Sequence, residues 1–194
     1  MRKAKEVRNT KETKVSVEIN LDGTGKAVID TGIKFFNHML EQLACHSSFD
    51  IKIKAESLDG DNHHCVEDVG ITLGKTFLKA IGDKCGITRY GEKTVPLDEA
   101  LVMSVVDISG RAFSKISIDL KDERTSDFET VLLPHFFSSF AQNALLTLHI
   151  RQIDGTDTHH IIEASFKSFA RALREAAEIN KQNKNKIPST KGVL

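Results

Sequence analysis

The chain of 194 residues carries 27 Lys and Arg against 27 Asp and Glu, and 40% of it is hydrophobic. That balance excludes a general nucleic-acid or membrane surface, so an anionic ligand has to be met by a few locally placed basic groups. No apolar run reaches the length of a membrane span, the N-terminus lacks the apolar segment of a signal peptide, and three cysteines (Cys45, Cys65, Cys85) without a close pair suit a reducing cytoplasm.

Residues Glu12 to Leu21 alternate, with Val15, Val17, Ile19 and Leu21 on one face, and predict a strand. Asp22-Gly-Thr-Gly25 is a turn, after which Lys26 to Ile29 is expected to return as the second strand of a hairpin. Phe36, Met39, Leu40 and Leu43 mark an amphipathic helix on which His38 and Gln42 share a face. Phe49, Ile51 and Ile53 predict a strand, and a helix then runs to about Ile81.

The order repeats. Leu101 to Ile108 reads as a strand, Ser109-Gly-Arg111 as a turn, and Phe113, Ile116 and Ile118 as further strand. A polar insertion, Asp119 to Glu129, precedes a helix opening at Pro134-His135; Leu146, Leu148 and Ile150 predict a strand, and a last helix follows. Two registers relate the halves: aligning Asp22-Gly23 with Ser109-Gly110 brings Glu12 opposite Glu99, and the insertion absorbs the shift seen further on. The reading is an internal duplication, strand-strand-helix-strand-helix in each half, hence an α+β fold of two similar half-domains, each a sheet backed by helices. The expected divisions are 1–90, 91–180 and a basic tail, 181–194.

The strongest signal is a stretch present twice, Asp61-Asn-His-His-Cys-Val-Glu67 and Asp157-Thr-His-His-Ile-Ile-Glu163. His159, His160 and Glu163 each stand 96 positions after His63, His64 and Glu67, and both copies open a helix-like run. His135 follows His38 at nearly the same distance. A duplicated core needs repeated apolar periodicity but no repeated imidazoles, so matched histidines beside matched carboxylates point to divalent transition metal. Six His and two Glu are too many for one ion and enough for two, each with about three imidazoles and one carboxylate and positions left open for chemistry. Cys65 falls opposite Ile161 and is read as core; His46 and His149 have no histidine partner in the other half and are read as structural. Taken alone, Arg89, Arg111, Lys167 and Lys191 read as solvated surface charges, and the tail as a free end or a basic flap over an anion. No glycine-rich phosphate loop is present, which argues against nucleotide-driven chemistry.

Thr10-Lys-Glu-Thr13, Asp22-Gly-Thr-Gly25, Phe36-Asn-His-Met-Leu40, His63-His-x-x-Glu-Asp68, Pro96-Leu-Asp-Glu-Ala100, Ser109-Gly-Arg111, His159-His-Ile-Ile-Glu-Ala164 and Pro188-Ser-Thr-Lys-Gly-Val-Leu194 give the chain its resemblance to the imidazoleglycerol-phosphate dehydratase family of histidine biosynthesis. The stretches span nearly the whole chain in the family's order, and its length matches the monofunctional form. The resemblance implies half-domains of the ribosomal protein S5 domain 2 type, two Mn ions per active site, and a 24-subunit shell of trimers with sites between neighbouring subunits. It makes His38, His63, His64, Glu67, His135, His159, His160 and Glu163 the metal ligands. Arg89, Arg111, Lys167, Ser189 and Lys191 would grip the substrate phosphate, Gln42 would lie near the substrate, and Glu12 would be the acid-base carboxylate. Asn37 departs from the Asp that many members carry there.

The implied reaction removes water from D-erythro-imidazole glycerol phosphate to give imidazole acetol phosphate. The proton to be removed lies on a carbon with no adjacent carbonyl, so the substrate's imidazole has to supply the electrons, helped by metal. Glu12, with Glu67 and Glu163 as further carboxylates at the reacting centre, would then take the carbon-bound proton. Two rivals fit the same residues: a dinuclear phosphoester hydrolase, and a metal-storage or metal-sensing shell.

Overall fold

The computed structural model describes residues 2–182 and 185–194; Met1 and the tail residues Asn183 and Lys184 lie outside the described residues. The first half runs β1 (Lys3–Asn9), β2 (Thr13–Asn20), β3 (Ala27–Asp30), α1 (Lys34–Ser47), β4 (Asp50–Ser57) and α2 (Asn62–Ile81). The second runs β5 (Tyr90–Leu97), β6 (Ala100–Asp107) and β7 (Phe113–Ser117), then the short strands β8 (Arg124–Thr125) and β9 (Phe128–Glu129), then α3 (Leu132–Ala144), β10 (Thr147–Asp154) and α4 (Thr158–Ala177). The fold is α+β, with two four-stranded sheets ordered β1-β2-β4-β3 and β5-β6-β10-β7. Each sheet is backed by its own helices, and the helices of the two halves meet between the sheets, α2 on α3 and α1 on α4. Thr13 and Ala100 open corresponding strands, Asn62 and Thr158 corresponding helices, and the β8–β9 hairpin accounts for the change of register between them.

Two expectations need correcting. The main sheet of each half has four strands, because Lys3–Asn9 and Tyr90–Leu97 each pair antiparallel with the strand that follows. Both are polar edge strands; β5 even carries Pro96, an edge-strand residue, so neither shows the clean apolar alternation that betrays β2. Second, β3 does not form a hairpin with β2. It lies parallel to β4, which is inserted between them. The loop after β2 is captured by Asp50 at the start of β4: its Oδ1 accepts from the backbone N–H groups of Thr24 and Lys26 at 2.8 and 3.1 Å, and its Oδ2 from Asn20 Nδ2 at 3.0 Å. A Cβ on Gly23 would stand 2.4 Å from the Asp50 nitrogen, so only glycine lets the loop cross there.

The inner faces of the central strands are mainly Val, Ile and Leu, with Ala100 and Ser104 among them on β6, and the seam between the halves is aromatic. Phe36, Phe77, Phe136, Phe137, Phe140, Phe166 and Phe169 are fully buried, with Phe136 stacked on Phe166 at 5.3 Å and Phe140 edge-on to Phe169 at 5.2 Å. Each such side chain contributes about 1.5–3 kcal/mol by leaving water, so the two halves share one core. Helices α2 and α4 both begin at an aspartate cap: Asp61 accepts from the His63 N–H at 2.7 Å and Asp157 from the His160 N–H at 3.0 Å. The repeated Asp therefore starts both helices at the paired histidines.

Candidate active site

Helix pairing across the halves gathers the repeated residues into two triads. His38 on α1 meets His159 and Glu163 on the first turns of α4: Glu163 Oε2 lies 3.2 Å from His159 Nε2 and 3.5 Å from His38 Nε2. Lys167, one turn further along α4, sits 2.7 Å from the other oxygen, Glu163 Oε1. Burial alone would raise the Glu163 carboxyl, but the Lys167 ammonium together with His159 and His38 holds the group below the usual carboxylate range. The second triad exchanges the halves. His135 on α3 faces His63 on α2 with ring centroids 4.6 Å apart, and the half-buried Glu67 follows His63 by one helical turn.

His64 and His160 stand apart from both triads. His64 Nδ1 is 2.7 Å from Asp59 Oδ2, with the Glu12 carboxylate close enough to share a ligand with them. His160 Nδ1 is 2.7 Å from Glu99 Oε2. The hydrogen bond to Asp59 raises the affinity of His64 for its proton and that to Glu99 does the same for His160, while Glu99 itself is drawn down to about 2, first by His160 and then by the Asp157 N–H. An imidazole tied at Nδ1 to a carboxylate presents Nε2 as an oriented donor, the usual outer-shell arrangement of a metal-binding histidine. Two imidazole nitrogens and one carboxylate oxygen, all within 4.8 Å in the first triad, form a donor set that suits a divalent transition ion.

The eight predicted ligands are thus not one cluster within a chain. His38, His159 and Glu163 form one compact set, His63 faces His135 with Glu67 a turn along α2, and His64 and His160 lie apart, each tied to a carboxylate. The remaining predicted residues lie elsewhere again. Arg89 pairs with Asp107 at 2.8 Å, donates to the Pro188 carbonyl at 2.8 Å and lies over the Tyr90 ring; the bond to Asp107 raises its pKa further. The tail comes back over this place: a Cβ on Gly110 would stand 2.5 Å from the Leu194 carbonyl carbon, and Ser189 Oγ accepts from the Lys191 N–H at 3.2 Å. Arg111 is exposed beside Gly110. All of these sit at the C-terminal end of α4, where the Arg89 N–H bonds the Ala176 carbonyl, whereas His159 and His160 open the same helix. Twenty residues of helix span about 30 Å. Lys167 alone of the basic set stands beside a triad, and Gln42 contacts His46 at 3.1 Å one turn beyond His38.

Sequence reasoning missed three supporting carboxylates. Glu99 was legible as the repeat partner of Glu12. Asp59 and Asp68 carried no such signal. Asp68 is buried, accepts from Thr13 Oγ1 at 2.5 Å and pairs with Arg8 at 2.7 Å, so it anchors both ends of the turn that carries Glu12.

Duplicated α+β halves that bring imidazoles and carboxylates together across their seam define the class of this protein. The family model for imidazoleglycerol-phosphate dehydratase matches residues 31–173. Relatives bearing that name include one from Bordetella avium, 52% identical over 195 residues and covering all of both chains, and one from Prochlorococcus marinus, 51% identical over 96% of this chain and 93% of its own. The solved structures of the dehydratases from Staphylococcus aureus and Pyrococcus furiosus superpose with TM-scores of 0.83 and 0.85 at 39% and 37% identity. They match 91% and 97% of this chain and 99% and 100% of their own. The chain belongs to the imidazoleglycerol-phosphate dehydratase family.

Proposed function

We propose that this hydro-lyase of histidine biosynthesis works with two divalent metal ions, Mn in the cell, held by the two triads and completed by His64 and His160 of neighbouring chains. The observation that carries the reading is the His38–His159–Glu163 triad, with His63 facing His135 across the other seam and Glu67 one helical turn beyond His63. The ions, when bound, supply Lewis acidity toward the substrate's imidazole. The chain's own groups do the rest. Glu12, on a turn pinned by Asp68 and beside His64, is the base that takes the proton from the substrate carbon. Arg89, Arg111, Lys167, Ser189 and Lys191 receive the phosphate and fix the reacting carbons relative to Glu12. Gln42 flanks the substrate beside His38.

Assembly is part of the proposal. Arg89 and the tail stand a helix length from the first triad of their own chain, so a site built on that triad draws them from another chain, as in a 24-subunit shell of trimers. The outer face of the second sheet fits such burial: Tyr90, Phe113 and Ile153 are each more than half exposed there. No helix among the described residues is long and apolar enough to cross a membrane. Cys45 and Cys65 stand as thiols, as suits the cytoplasm, where we place the reaction.

Incubation of the Mn-loaded protein with imidazole glycerol phosphate tests the reading. Formation of the ketone without inorganic phosphate, abolished by chelation, is expected; release of phosphate would instead favour the dinuclear hydrolase. Light scattering on chelated protein is expected to show a species of trimer size that Mn returns to the shell. A shell that survives chelation would leave the ions without a role in assembly.

A further inference from the structure

Helix α1 begins without a cap of its own. Its N-cap residue is Ile33, whose side chain cannot accept a hydrogen bond, and the first turn holds no acidic residue. The missing acceptor comes from the other half, at the tip of the β8–β9 hairpin. Asp127 Oδ2 accepts from the Lys34 N–H at 2.7 Å and Oδ1 from the Phe35 N–H at 2.9 Å. Both oxygens of one carboxylate thus satisfy the free donors of a helix 93 residues away in sequence. The hairpin is fixed on its other sides too. Phe128, fully buried, packs on Phe35 at 5.7 Å and on Phe36 at 5.9 Å. Asp122 accepts from Thr158 Oγ1, the first residue of α4, at 2.6 Å.

The hairpin therefore joins the starts of α1 and α4, the two helices that bear the first triad. Two lines run from Asp127 into it. One follows α1 for a turn to His38. The other passes through Phe35, whose ring stands edge-on to His159 at 5.0 Å. Among the described residues no such carboxylate reaches the start of α3 beside the second triad. β3 joins α1 through Thr31, Gly32 and Ile33 alone, so the first half has no hairpin to lay on α3, and α3 starts at Val131 with no side-chain cap.

We infer that Asp127 is a positioning residue for the His38–His159–Glu163 triad, setting that ion site, and not its repeat, before the ion arrives. The inference rests on the metal reading above. Metal-free full-length protein, the Asp127→Ala and Asp127→Asn variants, and Asp50→Ala as a remote loop control are titrated with Mn²⁺ by calorimetry, with electron paramagnetic resonance of the bound ion. The unaltered chain should show two classes of site. Asp127→Ala should weaken one class about tenfold, the lower end for loss of an outer-shell partner, and leave the other in place. Asp127→Asn, which keeps one acceptor oxygen, should fall between. Asp50→Ala should lower the melting temperature and move neither class. Equal weakening of both classes in an Asp127 variant, or of neither, overturns the inference while leaving the metal reading intact. If Asp127→Ala fails to fold, the same division of outcomes is read from Asp127→Asn. An unaltered chain that binds no Mn²⁺ overturns the metal reading and this inference with it.

Discussion

The two triads carry the same residue types, yet they are held differently. On α2, Gly70 and Gly74 let α3 come so near that added Cβ atoms would stand 2.9 and 2.6 Å from the Phe136 and Phe140 carbonyl oxygens. The matching positions of α4 are Phe166 and Ala170. His63 and His135 rings are accordingly 4.6 Å apart, against 6.5 Å for His159 and His38. The wider triad is the one with the hairpin clamp and with Lys167, whose counterpart is Ile71. The turns differ as well: Asp68 secures the Glu12 turn, while the Glu99 turn is secured by His160, because Ala164 stands where Asp68 would be. Histidines and carboxylates kept in common while their supports diverged mark a duplication whose two halves are held in place differently.

The largest effects should come from erasing what the halves share. Replacing either His64 or His160 with Ala should remove most bound Mn and lower turnover by more than the roughly 10²-fold of an outer-shell change, with far-UV circular dichroism unaltered. Full metal content in either variant would mean that its histidine is no ligand. Next come the paired carboxylates. Glu12→Gln should keep its metal and lose about 10²–10⁴-fold in kcat, the span for a positioned base. Glu99→Gln, acting through His160, should lose about 10–100-fold and weaken metal binding. Equal profiles would erase the distinction between proton transfer and orientation.

Packing changes should be smaller. Gly74→Ala forces α3 away from α2 and should cost about 1–3 kcal/mol by thermal melting, whereas Ala170→Gly, on the looser side, should cost about 1 kcal/mol. The loop held by Asp50 separates the sheets by pH, since Thr147 takes the corresponding place. Three hydrogen bonds, led by the Thr24 N–H, hold the Asp50 carboxyl down to about 2. Its contribution to stability is present above the ordinary aspartate range and is lost as pH falls from about 4 toward 2, where the unfolded chain binds the proton first. Asp50→Asn should flatten that part of the melting-temperature profile. The smallest effect concerns two ion pairs of opposite polarity at matched positions, Glu6–Lys79 at 2.8 Å and Lys93–Glu175 at 2.5 Å. Exchanging Glu6 and Lys79 should change stability by less than about 1 kcal/mol, since both pairs are largely solvated.

Sequence pattern revealed what repeats and what alternates. The duplicated His-His-x-x-Glu stretches, the helix running to Ile81, the inner strands and the α+β class were legible because apolar period and matched register are local properties. The edge strands were not, since Lys3–Asn9 is polar on both faces and owes its place to its neighbour. Nor was the strand order, which depends on Asp50 catching a loop half a sheet away. The gathering of six of the eight residues into two sets, with His64 and His160 left apart, follows from the packing of α1 on α4 and α2 on α3, and Asp59, Asp68 and Asp127 are ordinary loop or helix aspartates until the fold supplies their partners.

Helix α4 has one further consequence. It bears ligands at one end and stands beside Arg89 and the tail at the other, so on the assembly proposed here each chain lends a different piece to different sites. Defects at the two ends then belong to separate complementation groups. A chain lacking His160 and a chain lacking Arg89, each inactive alone, should recover turnover when unfolded and reassembled together, because some sites in the mixed shell draw both pieces from sound donors. The unit on which selection acts is then the contact between chains, and the fitness of an allele depends on the company its product keeps.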